Sequence, residues 1–226
     1  MRTFGKAGQI FWKDLILELR SKQILSAMLI FALLVVVVFA FAFQPARETT
    51  RQVFPGMIWV AFAFAGVVGL NRSFVGERQQ DCLMGLLLAP LEPVSIYFGK
   101  VLGSLFLMGV MELAALPLFF VFFDFPFPAS RGLFILILFL GSLGFCLIGT
   151  FLAALAAHAR ASEILLPLIL FPVLVPVLIG AVKASSLILA GGPVTGEIMV
   201  WLRLLAVYDG IFLVVPWLLF EYVLEV

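Results

Sequence analysis

The chain has 226 residues, of which 64% are hydrophobic and 12% are charged, and its mean hydropathy is +1.23. A soluble domain carries about a quarter charged residues, so this composition excludes a water-soluble globule as well as a disordered chain. The net charge of +1 gives no basic surface for nucleic acid. The two cysteines, Cys82 and Cys146, have neither zinc nor haem-attachment spacing.

The first 22 residues contain an apolar face at helical spacing, formed by Trp12, Leu15, Ile16 and Leu19. The charged residues Lys13, Asp14, Glu18 and Arg20 lie mostly off that face. This pattern predicts an amphipathic helix in the membrane interface, because leucine and tryptophan exposed to water would be unfavourable. The alternative is a solvated tail with accidental periodicity.

Long uncharged runs follow, such as the 24 residues between Lys22 and Arg47. About 20 apolar residues cross the hydrocarbon core as a helix, whereas strands of a membrane barrel alternate in polarity. The sequence therefore predicts an all-α polytopic membrane protein in a single transmembrane domain. Its six spans are placed at 24–43, 54–71, 100–123, 132–157, 163–182 and 201–220.

The distribution of Lys and Arg sets the expected orientation. With the N-terminus in the cytoplasm, the inside segments hold nine basic residues and the outside segments hold five, counted along the sequence. The positive-inside rule then puts both termini in the cytoplasm. Ala40-Phe41-Ala42 could pass for a cleavage site, but the preceding apolar run is too long for a signal peptide, so the first span is expected to stay uncleaved.

The segment Asn71–Pro93 is the longest predicted inside loop, and it mixes charged and apolar residues. The stretch from Glu77 to Leu88 has the composition of a short helix that Pro90 would stop. Its leucines could dip into the interface, dock in a groove of a soluble protein, or pack on their own bundle. The residues concerned are Glu77, Arg78, Leu83, Leu86, Leu87 and Leu88.

Two carboxylates fall inside predicted spans, Glu112 in the third and Asp209 in the sixth. Ionisable groups within the bilayer are unfavourable and often functional, so both are candidate members of a polar route. The alternative is a carboxyl that holds helices together, which is favoured for Asp209 and equally weighted for Glu112. Arg203 is too far along the helix to pair with Asp209, although a contact across helices is open.

Prolines and small residues are frequent in the spans. The prolines are Pro117, Pro167, Pro172, Pro176 and Pro216, and each removes one helix hydrogen bond. The small residues form two i,i+4 ridges, namely Ala61, Ala65 and Gly69 and then Gly149, Ala153 and Ala157. Such ridges allow close helix approach, either within the bundle or between two copies.

Little in the sequence indicates chemistry on this chain. The single histidine, His158, is expected to be an ordinary interfacial residue rather than a haem or metal ligand, and Ser142 is too far along its helix to pair with it. Gly99-Lys100 lacks the rest of a P-loop, so any ATP is expected on another chain. We therefore expect neither a catalytic nor a metal site.

Several stretches carry a resemblance to a known family. They are Glu18-Leu19-Arg20-Ser21; PGMIWVAFAFAGVVGLNRSFVGERQQDCLMGLLLAP from Pro55 to Pro90; Tyr97-Phe98-Gly99-Lys100; Glu112-Leu113 with Pro117; LGSLGFCLIGTFLAALAAHARASEILLPLILFPVLVPVLI from Leu140 to Ile179; and Ala206-Val207-Tyr208-Asp209. With them the chain resembles heme exporter protein B (CcmB), the permease subunit of the cytochrome c maturation ABC transporter. NRSF-x-x-ER followed by LLLAP is the most specific part. The pattern leads us to expect Phe in place of Tyr208, and residues 184–200 match least.

The resemblance implies an ABC-exporter permease fold in the bacterial inner membrane. It implies a pair of permeases bound to two ATPase subunits (CcmA-like), with Glu77, Arg78 and the leucines through Leu88 contacting the ATPase. It also implies work with a haem protein (CcmC-like) and a haem chaperone (CcmE-like). ATP would be bound by the partner, and haem would be a possible substrate rather than a cofactor.

The role within such a complex stays open between haem export and mechanical release of the loaded chaperone. The absence of a set of histidines in the sequence favours release. Two further alternatives are a general ABC exporter for lipid or drug and an assembly scaffold that does not transport.

Overall fold

The computed structural model describes residues 2–43, 48–79, 93–128, 130–157, 162–191 and 196–224. Side chains are described from Gly5 onward within these ranges, except those of residues 74–79, 93, 157, 162–163 and 220–224. The described residues form seven helices and no strand: α1 (Arg2–Ser21), α2 (Gln23–Ala42), α3 (Glu48–Gln79), α4 (Pro93–Phe122), α5 (Arg131–Ala157), α6 (Ser162–Leu189) and α7 (Gly196–Leu224). Helices α2 to α7 are each long and apolar enough to cross a membrane. The all-α prediction is confirmed.

Several helices extend beyond the uncharged runs that predicted them. Helix α6 continues past Lys183 to Leu189, and α7 already begins at Gly196, so most of the expected outer segment 184–200 is helical. The chain turns between them at Gly191, whose φ of 70° suits glycine. A lysine near the end of a span does not stop a helix, because its long side chain reaches the interface. The helix therefore ends seven residues beyond residue 182, where the predicted span ends.

Helices α3 and α5 are the most buried spans, and α5 contacts α3, α4, α6 and α7. Small residues allow this close packing. A Cβ added at Gly149 would overlap a methyl carbon of Leu70, and one added at Gly69 would lie 2.6 Å from the sulfur of Met28. These parts of the two small-residue ridges thus serve contacts within one chain.

The indole of Trp59 joins α3 to α5 and α6. The ring of Trp59 fills the place that a Cβ at Gly141 would occupy. Its Nε1 donates a 3.0 Å hydrogen bond to the hydroxyl of Ser185 on α6. Because the indole is buried, this partner satisfies its one polar atom.

Phenylalanines close the end of the bundle at which α4 turns into α5. Phe54 of α3 stacks on Phe125, with ring centroids 4.3 Å apart and planes 5° apart. Phe120 makes edge contacts with Phe54 and Phe134 and stacks on Phe127. Aromatic pairs add about 0.5 to 1.5 kcal/mol beyond the area that they bury, so this cluster stabilises the turn.

Helix α1 lies at the opposite end, against the first turns of α4. Ala7 and Ile10 are buried there, and Ile10 packs directly on Gly99. Trp12 and Leu19 point outward, each with more than half of its surface exposed. The exposed apolar residues agree with the predicted face toward the interface, while a second face of α1 packs on the bundle.

Candidate functional site

The second face of α1 carries acidic residues toward the bundle. A carboxylate oxygen of Asp14 lies 2.9 Å from the ammonium nitrogen of Lys100, whose side chain is only 4% exposed. The other oxygen lies 3.1 Å from Lys13. From the sequence we placed Asp14 mostly off the apolar face of this helix and counted Lys100 among the basic residues of the inside segments. Ala7, Ile10 and Asp14 recur at three- and four-residue spacing, which is the signal that could have indicated this face.

Glu18 joins α1 to α2. It is buried, and its carboxylate accepts a 2.8 Å hydrogen bond from the backbone N–H of Leu25 in the first turn of α2. Between them Lys22 adopts a left-handed conformation, with φ of 54° and ψ of 18°. A carboxylate at a helix N-terminus satisfies an otherwise unpaired N–H and interacts favourably with the helix dipole. Glu18 therefore fixes the angle at which the chain enters its first span.

A cleft of about 820 Å³ lies at this end, between α1, α2, α3, α4 and α5. Its charged lining residues are Lys13, Asp14, Glu18, Arg72 and Lys100. Its apolar part includes Leu107, Met108, Phe145 and Cys146 from α4 and α5, and Met28 from α2. The cleft thus combines a charged part with an apolar part.

Beyond Met108 and Cys146 lies the first intramembrane carboxylate. The hydroxyl of Ser142 donates a hydrogen bond to Glu112, and both groups are buried. One helical turn along, the sulfur atoms of Cys146 and Met108 are 3.9 Å apart. These two polar contacts join α4 to α5. They favour the interpretation in which Glu112 holds helices together, with Ser142 as its partner.

Asp209 lies on the other side of α5. Its side chain is 5% exposed, and neither carboxylate oxygen has a hydrogen-bond partner among the described residues. A Cβ at Gly144 would lie 2.5 Å from one of these oxygens, so a larger residue there would require the carboxyl to shift. Arg203 is exposed and makes no ion pair with Asp209. Among the described residues, the ion pairs of the structure do not include one between Arg203 and another helix either.

Two tyrosine hydroxyls hydrogen-bond to the backbone of neighbouring helices. The hydroxyl of Tyr97 lies 2.9 Å from the carbonyl oxygen of Leu147 and 3.4 Å from that of Phe212. Pro216 has no N–H, so it leaves the Phe212 carbonyl without its usual donor four residues on. Tyr97 offers this carbonyl a longer contact, because its single hydroxyl hydrogen is shared with the nearer Leu147 carbonyl. The hydroxyl of Tyr208 likewise donates to the Val173 carbonyl at 3.0 Å, within the proline-rich stretch of α6.

The predicted coupling segment is only partly described. Glu77 and Arg78 belong to the last turns of α3 rather than to the start of a separate helix, and their side chains lie outside the described ones. His158 and four leucines lie outside the described residues, the leucines being Leu83, Leu86, Leu87 and Leu88. In the part of the chain that is described, no group of three or more metal-ligating side chains occurs.

The helices and their buried polar contacts define a multi-pass α-helical membrane protein. A family model described as "CcmB protein" matches residues 6–220, which is nearly the whole chain. The chain therefore belongs to the CcmB family.

Individual relatives agree with the family match. The chain is 31% identical over 167 residues to "Heme exporter protein B" of Rhodobacter capsulatus, covering 74% of this chain and 76% of the relative. It is 29% identical over 177 residues to the protein of the same name from Pseudomonas aeruginosa, covering 77% of each. With that of Escherichia coli K12 it is 29% identical over 106 residues, which is 45% of this chain and 48% of the relative.

Proposed function

We propose that this chain is the membrane permease subunit of an ABC transporter complex in c-type cytochrome biogenesis. It has no catalytic role itself, and ATP is hydrolysed by a separate CcmA-like subunit. The permease couples that hydrolysis to haem export or to release of a haem-loaded chaperone. It resides in the bacterial inner membrane with both termini in the cytoplasm.

The family match over residues 6–220 carries this proposal. Relatives named "Heme exporter protein B" align over about three quarters of their length, so the likeness is not confined to one apolar helix. Apolar helices alone resemble one another in many membrane proteins, whereas the match here includes the charged turns between spans.

The ends of α3 and α4 support a coupling role for the segment between them. Helix α3 ends at Gln79, and α4 starts at Pro93. The first two turns of α4 carry Tyr97 and Lys100, which bond to α5, α7 and α1. A displacement of residues 80–92 would therefore act on a helix start that is tied to three other helices.

Deletion of the gene tests the pathway. We expect the deletion strain to lose c-type cytochromes in a haem stain and to regain them with the intact chain. Co-expression with an ATPase subunit that cannot hydrolyse ATP should leave the defect unrepaired. Normal cytochromes in the deletion strain would favour a general lipid or drug exporter, and repair with the inactive ATPase would favour a scaffold.

Charge reversal tests the coupling segment. Glu77→Lys with Arg78→Glu should reduce copurification of the ATPase subunit, because both residues lie where α3 ends. Arg51→Glu is the matched control, since Arg51 is exposed at the other end of the same helix. Undiminished ATPase binding by a variant lacking residues 77–88 would refute the assignment.

A further inference from the structure

We propose that the cleft lined by helices α1, α2, α3, α4 and α5 is a binding site for an amphipathic anion. Such a molecule has an acidic head on an apolar body. This inference does not depend on an ATPase partner, and it is tested on the isolated chain. The volume of about 820 Å³ lies within the range of small-molecule sites, about 300 to 1,000 Å³.

The charged part of the cleft has an excess of positive charge. Lys13, Arg72 and Lys100 line it together with two carboxylates, Asp14 and Glu18. Asp14 is shared between the two lysines, and Glu18 accepts the Leu25 N–H. Arg72 is exposed and has no ion pair with a described residue. Its guanidinium is therefore available to a carboxylate or phosphate, which it can bind in bidentate fashion.

The other part of the cleft suits an apolar body. Met28, Leu107 and Phe145 line it, and the polarisable sulfur atoms of Met108 and Cys146 lie at its inner side. Gly103 leaves part of this space open, since a Cβ there would meet no atom within 4 Å. An apolar body that lies in this space contacts these side chains, so it adds affinity that a free inorganic anion lacks.

Two sources supply this chemistry: an acidic phospholipid of the surrounding leaflet and a tetrapyrrole with propionate groups. The probes are phosphatidylglycerol, with phosphatidylcholine for comparison, and protoporphyrin IX. Binding to the detergent-solubilised chain is measured by native mass spectrometry for lipids and by fluorescence for the porphyrin. We expect phosphatidylglycerol or the porphyrin to bind saturably, and phosphatidylcholine to bind more weakly.

Two matched pairs of variants locate the site. Gly103→Leu should abolish saturable binding by filling the cleft, whereas Gly109→Leu on the same helix should not, since a Cβ there also meets no atom and Gly109 does not line the cleft. Arg72→Gln should weaken binding about tenfold, the loss expected for one charge-assisted hydrogen bond. Arg51→Gln at the other end of α3 should leave it unchanged.

The outcomes separate cleanly. Loss of probe binding in Gly103→Leu together with weaker binding in Arg72→Gln supports the site. The probe that binds shows whether the anion is a phospholipid or a tetrapyrrole. Binding of either probe that is unchanged by Gly103→Leu overturns the site. So does the lack of saturable binding by both the porphyrin and phosphatidylglycerol, or, where only lipids bind, equal binding of phosphatidylcholine and phosphatidylglycerol. Either result leaves the proposed function to be judged separately by the haem stain.

Discussion

The carboxylate of Asp14 lies 2.9 Å from the ammonium group of Lys100, and this ion pair holds α1 against the start of α4. Lys100 is almost fully buried, whereas Asp14 keeps some access to solvent. A lysine buried among helices needs such a partner, because removal of its hydration is otherwise unfavourable. The pair thus specifies where the N-terminal helix lies.

The first prediction concerns this pair. Asp14→Asn should lower the free energy of unfolding by about 2 to 3 kcal/mol, somewhat below the value for a fully buried pair, because it removes the carboxylate charge 2.9 Å from the buried ammonium group of Lys100. Thermal unfolding in detergent measures the change. Lys13→Ala is the control, since this exposed contact to the same carboxylate should contribute less than about 1 kcal/mol. Equal effects of the two substitutions would contradict the assignment.

The second prediction concerns the cap at the start of α2. Glu18→Ala should destabilise the protein by about 1 kcal/mol, since the Leu25 N–H loses its acceptor. Arg20→Ala, at an exposed site two residues on, should change stability by less than about 0.5 kcal/mol. The same unfolding assay compares the two variants. An unchanged stability of Glu18→Ala would show that the cap does not stabilise the protein.

The third prediction concerns the contacts of α5 that require glycine. Gly141→Ala and Gly144→Ala should each cost about 1 to 3 kcal/mol, because the added methyl group meets Trp59 or Asp209. Gly109→Ala is the matched control, where a Cβ meets nothing and helix propensity improves by about 0.5 to 1 kcal/mol. If all three variants were equally stable, the close approach of these helices would be disproved.

The fourth prediction concerns the carbonyl that Pro216 leaves free. Tyr97→Phe should cost about 0.5 to 1.5 kcal/mol, because the Leu147 carbonyl and the partly buried Phe212 carbonyl then lose the hydroxyl that they share. Tyr208→Phe should cost less, since the Val173 carbonyl can still accept a bond within its own helix.

A double-mutant cycle isolates the role of the proline. In a Pro216→Ala background the backbone N–H of the introduced alanine restores the helix bond to Phe212, so Tyr97→Phe should have a smaller effect than in the native chain. Unfolding measurements on the four variants give the coupling. Additive effects would mean that Tyr97 acts only through Leu147.

The sequence predicted the helical architecture because lipid imposes it. A backbone inside a bilayer must satisfy its own hydrogen bonds, so a run such as 24–43 can only be a helix there. The sequence was less informative about helix ends, as the extension of α6 beyond Lys183 shows. It also marked Glu112 and Asp209 as buried carboxylates without naming what surrounds them.

What the sequence alone determined is the class of protein, the number of apolar helices and the resemblance to CcmB, since these depend on composition, length and local motifs. Only the tertiary structure decided which residues meet. Asp14 reaches Lys100, and Tyr97 reaches Phe212 from 115 positions away. Such contacts follow from the way in which helices pack side by side, and this packing depends on glycines and prolines of several helices at once. The hydropathy along one helix does not indicate which helices lie next to it.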